Sequence, residues 1–189
     1  FFQAEDGIRG VVGSRGLGDV YKRQSIRRMI MSYNYMRNEV VKYWEKTNDL
    51  LVAFEDFNGQ IQKHTVHLPK EDIDTILNIG ITTGIKNWCD RVDILEDKPL
   101  GTYYSEQVSR GGSLIFHDKI FDRVGVMTLS NFLQSYSCIY SAATSYGLSE
   151  HCIDGYFYNS PRICDYIIQF ALFEDIPYFH AEETESGSI

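Results

Sequence analysis

The stretch TLSNFLQSYSCIYSAATSY, residues 128–146, carries the strongest secondary-structure signal in the chain. Its apolar residues recur three and four positions apart, as they do along one face of an α-helix. Thr128 can cap the start of this helix, and Gly147 can cap its end. The stretch therefore predicts one amphipathic helix, with a buried face formed by Leu129, Phe132, Leu133, Tyr136, Ile139, Tyr140 and Ala143.

A second helix is predicted for PRICDYIIQFALF, residues 161–173. Ser160 is a favourable N-cap, and Pro161 suits the first helical position because an N–H there has no partner within the helix. The predicted buried stripe consists of Ile163, Ile167, Phe170 and Ala171. Further helical segments are predicted at residues 34–46, 71–79 and 85–89, with a break or bend marked by Gly80 and Gly84. We interpret Glu71, Asp72 and Asp74 as charges that favour a helix N-terminus.

Between the helices, short runs of β-favouring residues alternate with turn signals. The most specific signal is Asn58-Gly59, which favours a hairpin turn between strands at residues 50–55 and 60–68. Other strands are predicted at residues 92–95, 102–108, 113–117 and 176–179, with the second and third paired and the last at a sheet edge. These elements predict an α+β fold, a single domain in which a small, mostly antiparallel sheet packs with about four helices.

The first 24 residues resemble a translated DNA-sequencing adapter. DVYKRQ at residues 19–24 and SRGLG at residues 14–18 are encoded by adapter bases, and QAEDGIR at residues 3–9 fits a flow-cell primer. Such a fusion scar is set aside before the fold is considered, so its glycines and arginines are not interpreted as a phosphate loop or a nucleic-acid-binding arm. The resemblance implies that residues 1–24 lack packed structure.

The natural start is predicted at Met31, because Arg27-Arg28 can be encoded by a bacterial ribosome-binding site at suitable spacing. The chain then divides into the adapter segment 1–24, a translated leader 25–30, one domain at 31–180 and a polar tail at 181–189. Residues 1–30 hold 6 of the 18 basic and 3 of the 26 acidic residues, so the formal charge from Met31 onward is −11 rather than −8.

This acidic balance disfavours direct nucleic-acid binding, because phosphates are repelled, and favours a partner protein with a basic surface. The chain has no run of 18 apolar residues, which argues against a membrane span. The cysteines form no close pair, which fits the reducing cytoplasm of a bacterial host cell. The four are Cys89, Cys138, Cys152 and Cys164.

Candidate catalytic and metal-binding residues are scattered. The candidate ligands for a zinc ion are His117, Cys138, His151, Cys152 and Cys164. Only His151 and Cys152 are close in sequence, and adjacent residues rarely bind the same ion. Cys89 is the best candidate nucleophile, with His117 as its base, although a cysteine beside Trp88 is more often a core residue. We therefore predict that Cys89 is structural, and no metal, cofactor or catalytic residue is assigned.

The most informative loop is Ser109-Arg110-Gly111-Gly112-Ser113. Its glycines permit close backbone approach, and the arginine supplies a planar fork for a phosphate or a carboxylate. This loop is a candidate site for a nucleotide or an acidic partner segment. The alternative interpretation is a hairpin turn with one exposed arginine.

Tyrosine and phenylalanine form the second candidate surface. Tyrosines are frequent at protein interfaces, whereas those at helical spacing are expected in the core. The loop around Asp154, Tyr156 and Tyr158 is therefore the preferred aromatic interface. The wider aromatic set is Tyr103, Tyr104, Tyr136, Tyr140, Tyr146, Tyr156, Phe157 and Tyr158.

Four stretches resemble a family of small acidic proteins encoded by phages and mobile elements of gut Firmicutes. They are DIDTI at residues 72–76, GIKNWC at 84–89, SEQVSRGGSL at 105–114 and DYIIQFALF at 165–173. Relatives tend to have glycine where this chain has Glu174. The resemblance implies a phage or mobile-element protein, but it implies no activity and assigns no catalytic residue.

These observations favour an accessory protein that acts by binding, such as an acidic inhibitor of a host defence or nucleic-acid-handling protein of the anti-CRISPR type. A nucleotide-binding protein that uses residues 109–113 is one alternative. A thiol-dependent enzyme is another.

Overall fold

The computed structural model describes residues 37–56, 58–145 and 159–178. They form a small single α+β domain, as the sequence predicts. No helix within these ranges is long and apolar enough to cross a membrane. The predictions for residues 1–36, 146–158 and 179–189 lie outside the described residues.

Five strands and five α-helices are described. In chain order they are α1 (Arg37–Thr47), β1 (Asp49–Glu55), β2 (Ile61–His67), α2 (Lys70–Ile79), β3 (Cys89–Ile94), α3 (Glu106–Ser109), β4 (Leu114–Asp118), β5 (Arg123–Met127), α4 (Leu129–Ser145) and α5 (Pro161–Phe173). A π-helical turn (Gly80–Gly84) and a 3-10 turn (Ile85–Asn87) connect α2 to β3.

The strands form two antiparallel sheets rather than one. The first is the predicted hairpin β1–β2, in register from Asp49↔His67 to Glu55↔Ile61. Its turn is held by Asp56, whose carboxylate accepts hydrogen bonds from the backbone N–H groups of Asn58 and Gln60 at 2.9 Å. Gly59 adopts a φ of +76°, which favours glycine. The second sheet has the order β3-β4-β5.

The helix predicted from residues 128–146 is confirmed as α4. Leu129, Phe132, Leu133, Tyr136 and Tyr140 are buried along one face, as the periodicity predicts. Its start is capped by a reciprocal pair: the N–H groups of Thr128 and Asn131 bond each other's side-chain oxygens. Two serines then fasten this helix to its neighbours, since Ser135 donates to the carbonyl of Ile167 at 2.6 Å and Ser141 to that of Ala53 at 2.9 Å.

The predicted cap of α5 is also confirmed, because the Ser160 hydroxyl accepts from the N–H of Ile163. Gly80 and Gly84 do not break the chain, however. Both have right-handed helical dihedral angles, and the helix continues through them as the π-helical turn. A Cβ atom on Gly84 would lie 2.7 Å from the carbonyl oxygen of Pro161, so glycine is required for the close approach of α5 rather than for a bend.

The strand predicted at residues 102–108 is wrong. This segment forms turns that lead into α3, because the carbonyls of Tyr103 and Tyr104 accept hydrogen bonds from the N–H groups of Glu106 and Gln107 at 3.1 Å. The strand predicted at residues 113–117 is β4, but its partners are β3 and β5. Turn hydrogen bonds thus stand in this segment where the β-propensity of its side chains predicts strand pairing.

Strand β5 was not predicted, although Val124, Gly125, Val126 and Met127 alternate between exposed and buried positions. A five-residue strand with one glycine is a weak pattern, and it becomes a strand through pairing with β4. The edge strand predicted at residues 176–179 is not formed at residues 176–178. These residues belong to a segment that packs back on the domain through side chains.

Candidate functional site

Residues 95–113 connect β3 to β4 and contain the loop that the sequence singled out. We call them the 95–113 loop. Its two ends meet where the N–H of Leu95 donates to the carbonyl of Ser113 at 3.2 Å. At its second end the N–H of Gly112 donates to the carbonyl of Gln107 at 2.9 Å. The loop is therefore closed at its base, where both of its ends continue into paired strands of the second sheet.

The two glycines of the loop have different structural roles. Gly111 adopts a φ of +86°, a left-handed conformation that favours glycine. A Cβ atom on Gly112 would lie 2.4 Å from Nε2 of Gln107. Gly111 therefore forms a turn after α3, and Gly112 leaves room for the side chain of Gln107.

Gln107 is the internal support of the loop. It is fully buried, its Oε1 accepts from the N–H of Leu100 at 2.9 Å, and its Nε2 donates to Oε2 of Glu96 at 2.9 Å. Burial alone would raise the pKa of Glu96, but hydrogen bonds, chiefly from the backbone of Ser113, outweigh it and leave this pKa below its ordinary value. Gln107 thus fixes the first half of the loop against α3.

Arg110 lies between two carboxylates of its own chain. Its guanidinium contacts Oδ2 of Asp74 on α2 at 3.4 Å and Oε2 of Glu106 at 3.3 Å, and it also donates to the carbonyl of Glu106 at 3.0 Å. Glu106 in turn accepts from the N–H of Thr102 at 2.7 Å. The planar fork that could hold a phosphate is therefore engaged within the loop.

Ser109 completes this polar cluster. Its hydroxyl donates to Oδ1 of Asp74 at 2.5 Å. Burial raises the pKa of Asp74, while the bonds from Ser109 and the charge of Arg110 act in the opposite direction. Asp74 was interpreted as a charge at a helix N-terminus, but its side chain instead links α2 to α3.

Above this supported base, the loop presents apolar side chains to solvent. Tyr103 is 68% exposed, Tyr104 is 49% exposed and Leu100 is 47% exposed. Sequence reasoning placed both tyrosines in a strand and preferred the aromatic residues near Asp154. Asp154, Tyr156 and Tyr158 lie outside the described residues, whereas Tyr136 and Tyr140 are buried in the core as expected. A turn was predicted at residues 96–99, and the signal that was missed is Gly101, which extends the turn-forming context to the start of the predicted strand.

The Cys89 thiol and the His117 imidazole form hydrogen bonds with other groups rather than with each other. Cys89 is buried, and its thiol donates to the carbonyl of Arg91 at 3.2 Å. His117 instead contacts the carboxylate of Asp93 at 2.8 Å and the guanidinium of Arg91 at 3.0 Å. Burial raises the pKa of the Cys89 thiol above its usual value, so the neutral thiol predominates at neutral pH.

Replacing Cys89 with alanine is therefore expected to lower the free energy of unfolding by about 1–3 kcal/mol, because a small buried side chain is lost. Urea denaturation measures this change. In the folded wild-type protein, a thiol reagent should modify Cys89 far more slowly than in urea, as followed by peptide mass spectrometry. Rapid modification of Cys89 without denaturant would contradict the structural role.

The other candidate zinc ligands that the structure describes do not belong to a ligand cluster. Cys138 and Cys164 are buried, and burial raises the pKa of each thiol to about 12. Within the described ranges, no three His, Cys, Asp or Glu side chains are grouped as metal ligands. His151 and Cys152 lie outside those ranges.

Comparison with known proteins gives no relative, since no protein-family model, curated protein or solved structure matches the chain. The 95–113 loop is the candidate site because of its geometry. Its polar side chains, Gln107 and Arg110 among them, are held by hydrogen bonds, and its tyrosines Tyr103 and Tyr104 are exposed to solvent.

Proposed function

We propose that this protein acts by binding another protein through the 95–113 loop. In this proposal it is an accessory protein of a phage or mobile element, works in the cytoplasm of a bacterial host, and inhibits a host defence or nucleic-acid-handling protein. The observation that carries the binding role is the exposure of Tyr103, Tyr104 and Leu100 on a loop supported by the buried Gln107.

A supported loop favours binding for an energetic reason. Ordering a flexible loop at an interface costs conformational entropy, and that cost is smaller when the loop is already held in one shape. Tyrosine supplies a large contact area with few rotatable bonds and is enriched among the residues that dominate binding energy. Two adjacent exposed tyrosines on such a loop are therefore suited to contact a protein partner.

The charges of the loop favour a basic partner surface. Glu96, Asp97 and Glu106 outnumber Lys98 and Arg110, and Asp74 adds a further carboxylate beside them. The chain as a whole has a formal charge of −8. Carboxylates around exposed tyrosines attract arginine and lysine side chains, which also interact favourably with aromatic faces.

The contacts of Arg110 argue against the nucleotide-binding alternative. A bound phosphate would have to displace the carboxylates of Asp74 and Glu106, both already present at 3.3–3.4 Å. Cys89 is buried, and the His117 imidazole is hydrogen-bonded to Asp93 rather than to the thiol, which argues in the same way against a thiol-dependent enzyme. Binding through the loop requires no such rearrangement.

The test compares the tagged wild-type protein with the Tyr103→Ala/Tyr104→Ala double variant in capture experiments from bacterial host lysate. Affinity for the captured partner is then measured by calorimetry. We expect the double variant to bind at least about 30-fold more weakly, because one dominant interface residue contributes about 2 kcal/mol or more. Affinity should fall steeply as salt increases, since the contact pairs acidic and basic surfaces.

Tyr43→Ala is the matched control, because Tyr43 is 50% exposed but lies on α1. It should bind like the wild type. Arg110→Ala separates the two binding hypotheses: a nucleotide site would lose its ligand in this variant and keep it in the tyrosine variant. Equal partner affinity of the wild type and the double variant would exclude the loop as the binding surface.

A further inference from the structure

The segment that follows α5 folds back onto the domain chiefly through one residue, Tyr178. Glu174 adopts a left-handed conformation with a φ of 54°, and residues 174–178, which we call the strap, form no helix or strand. The ring of Tyr178 stacks on Trp88, with centroids 5.4 Å apart and planes at 8°. Phe121 stacks on the same ring at 5.8 Å, and Phe173 meets it edge-on at 6.3 Å. We call the space between Trp88, Phe121 and Phe173 the tyrosine slot.

The hydroxyl of Tyr178 meets a charged pair at the end of the slot. It donates to the carboxylate of Asp118, and Arg123 donates to the hydroxyl oxygen at 3.4 Å. Burial would raise the pKa of Asp118, but the bonds from Tyr178 and Arg123 outweigh it and hold this pKa below its usual value. The slot therefore recognises the phenol group as well as the ring.

The backbone of Tyr178 is recognised separately by a single amide side chain. Oε1 of Gln169 accepts from the N–H of Tyr178 at 2.9 Å, and Nε2 of Gln169 lies 3.3 Å from its carbonyl oxygen. A side-chain amide that pairs with both backbone groups selects an extended segment. The ring, the hydroxyl and the backbone of one residue are thus all bound by fixed parts of the domain.

The slot keeps its shape through contacts that do not involve the strap. Asp118 also accepts from Arg123 at 2.7 Å and from the N–H of Ile120 at 2.9 Å. Gln169 donates to the buried carboxylate of Asp165 at 2.7 Å, and the same carboxylate accepts from the indole N–H of Trp88 at 2.8 Å. These bonds preorganise the receptor side of the contact.

Among residues 175–178 of the strap, the hydrogen bonds to the rest of the domain are made by Tyr178. Asp175 and Pro177 are exposed, and Ile176 is only half-buried. Beside the slot, Ile120 is 52% exposed and Phe121 is 63% exposed, which leaves apolar surface for residues on either side of a bound tyrosine. Tyr178 packs against the core and stacks on the buried Trp88, so a segment that replaces the strap must supply an equivalent tyrosine ring. A longer segment can also make contacts that the strap does not.

We propose that the tyrosine slot is a binding site for an extended Pro-Tyr segment of a partner protein, and that the strap occupies it as an internal ligand. The ligand chemistry is that of Ile176-Pro177-Tyr178. A partner segment binds by displacing the strap. This site lies on different elements from the 95–113 loop, so its test is independent of the function proposed above.

The test uses a fluorescently labelled, C-terminally amidated peptide with the sequence of residues 174–178. Its affinity is measured by anisotropy for the full wild-type chain and for its Tyr178→Ala variant. We expect binding to the variant at least ten-fold tighter than to the wild type, because the strap competes in the wild type. A peptide with phenylalanine in place of tyrosine should bind the variant at least about ten-fold more weakly, since a hydrogen bond to a charged group is lost.

Circular dichroism establishes whether the Tyr178→Ala variant is folded. If it is not, Tyr178→Phe replaces it, because this variant keeps the ring and loses only the hydroxyl, and the tyrosine peptide should still bind it more tightly than the wild type. The proposal is overturned if a folded variant does not bind the peptide. Equal binding of the tyrosine and phenylalanine peptides would overturn it as well.

Discussion

Replacing Trp88 with alanine is expected to lower the free energy of unfolding by about 3–5 kcal/mol, the range for deleting a buried tryptophan. Trp88 is fully buried in the hydrophobic core and stacks on Phe116 at 6.5 Å and on Tyr178 at 5.4 Å. Its indole N–H donates to the buried carboxylate of Asp165 at 2.8 Å. Alanine would leave a cavity and also remove one donor to that carboxylate.

The hydrogen bond can be separated from the packing by a matched pair of variants. Trp88→Phe keeps an aromatic ring but removes the bond to Asp165, and Trp44→Phe removes a bond of 2.7 Å to the carbonyl of Leu68. Both tryptophans are fully buried. Because hydrogen bonds to charged groups contribute about 1.5–3 kcal/mol and neutral ones about 0.5–1.5 kcal/mol, we expect the larger loss for Trp88→Phe. Urea denaturation measures both free energies of unfolding. Equal losses in the two variants would show that the bond to the charged Asp165 stabilises the fold no more than the bond to the neutral carbonyl of Leu68.

Gly84→Ala is expected to lower the free energy of unfolding by about 1–3 kcal/mol through overpacking. The added Cβ atom would lie 2.7 Å from the carbonyl oxygen of Pro161 and 2.9 Å from Cβ of Asp165. These atoms belong to the first turns of α5, so they can be moved only by shifting the helix. Displacement of α5 would also disturb Asp165 and its bond to Trp88.

Gly80→Ala is the matched control, because it lies on the same connection and has the same right-handed backbone. Its added Cβ atom would meet Cδ1 of Ile168 at 2.4 Å, which is the end of a flexible side chain and can rotate away. Alanine is also favoured over glycine in a helix by about 1 kcal/mol. We expect Gly80→Ala to be near neutral in thermal denaturation. A loss equal to that of Gly84→Ala would mean that the α5 backbone is not the obstacle.

The candidate site was only partly predictable from the sequence. The sequence indicates an unusual loop at Arg110, Gly111 and Gly112. It does not indicate that the arginine pairs with carboxylates of its own chain. Its carboxylate Asp74 lies on α2, 36 positions earlier in the chain. A contact of that separation exists only once the helices pack, and charge composition does not reveal which arginines are paired.

The sequence by itself determined α4, α5 and the β1–β2 hairpin, because their signals are local. Helical periodicity, the caps at Thr128 and Ser160 and the glycine at the Asn58-Gly59 turn each act within a few residues. Tertiary structure decided what local propensity left open. Residues 102–108 became turns and α3 because the buried Gln107 fastens them to Glu96 and Leu100, and β5 became a strand because β4 offers it hydrogen bonds. A short segment with β-branched or aromatic side chains forms a strand only where a neighbouring strand pairs with it. Its secondary structure therefore depends on tertiary packing rather than on its own residues.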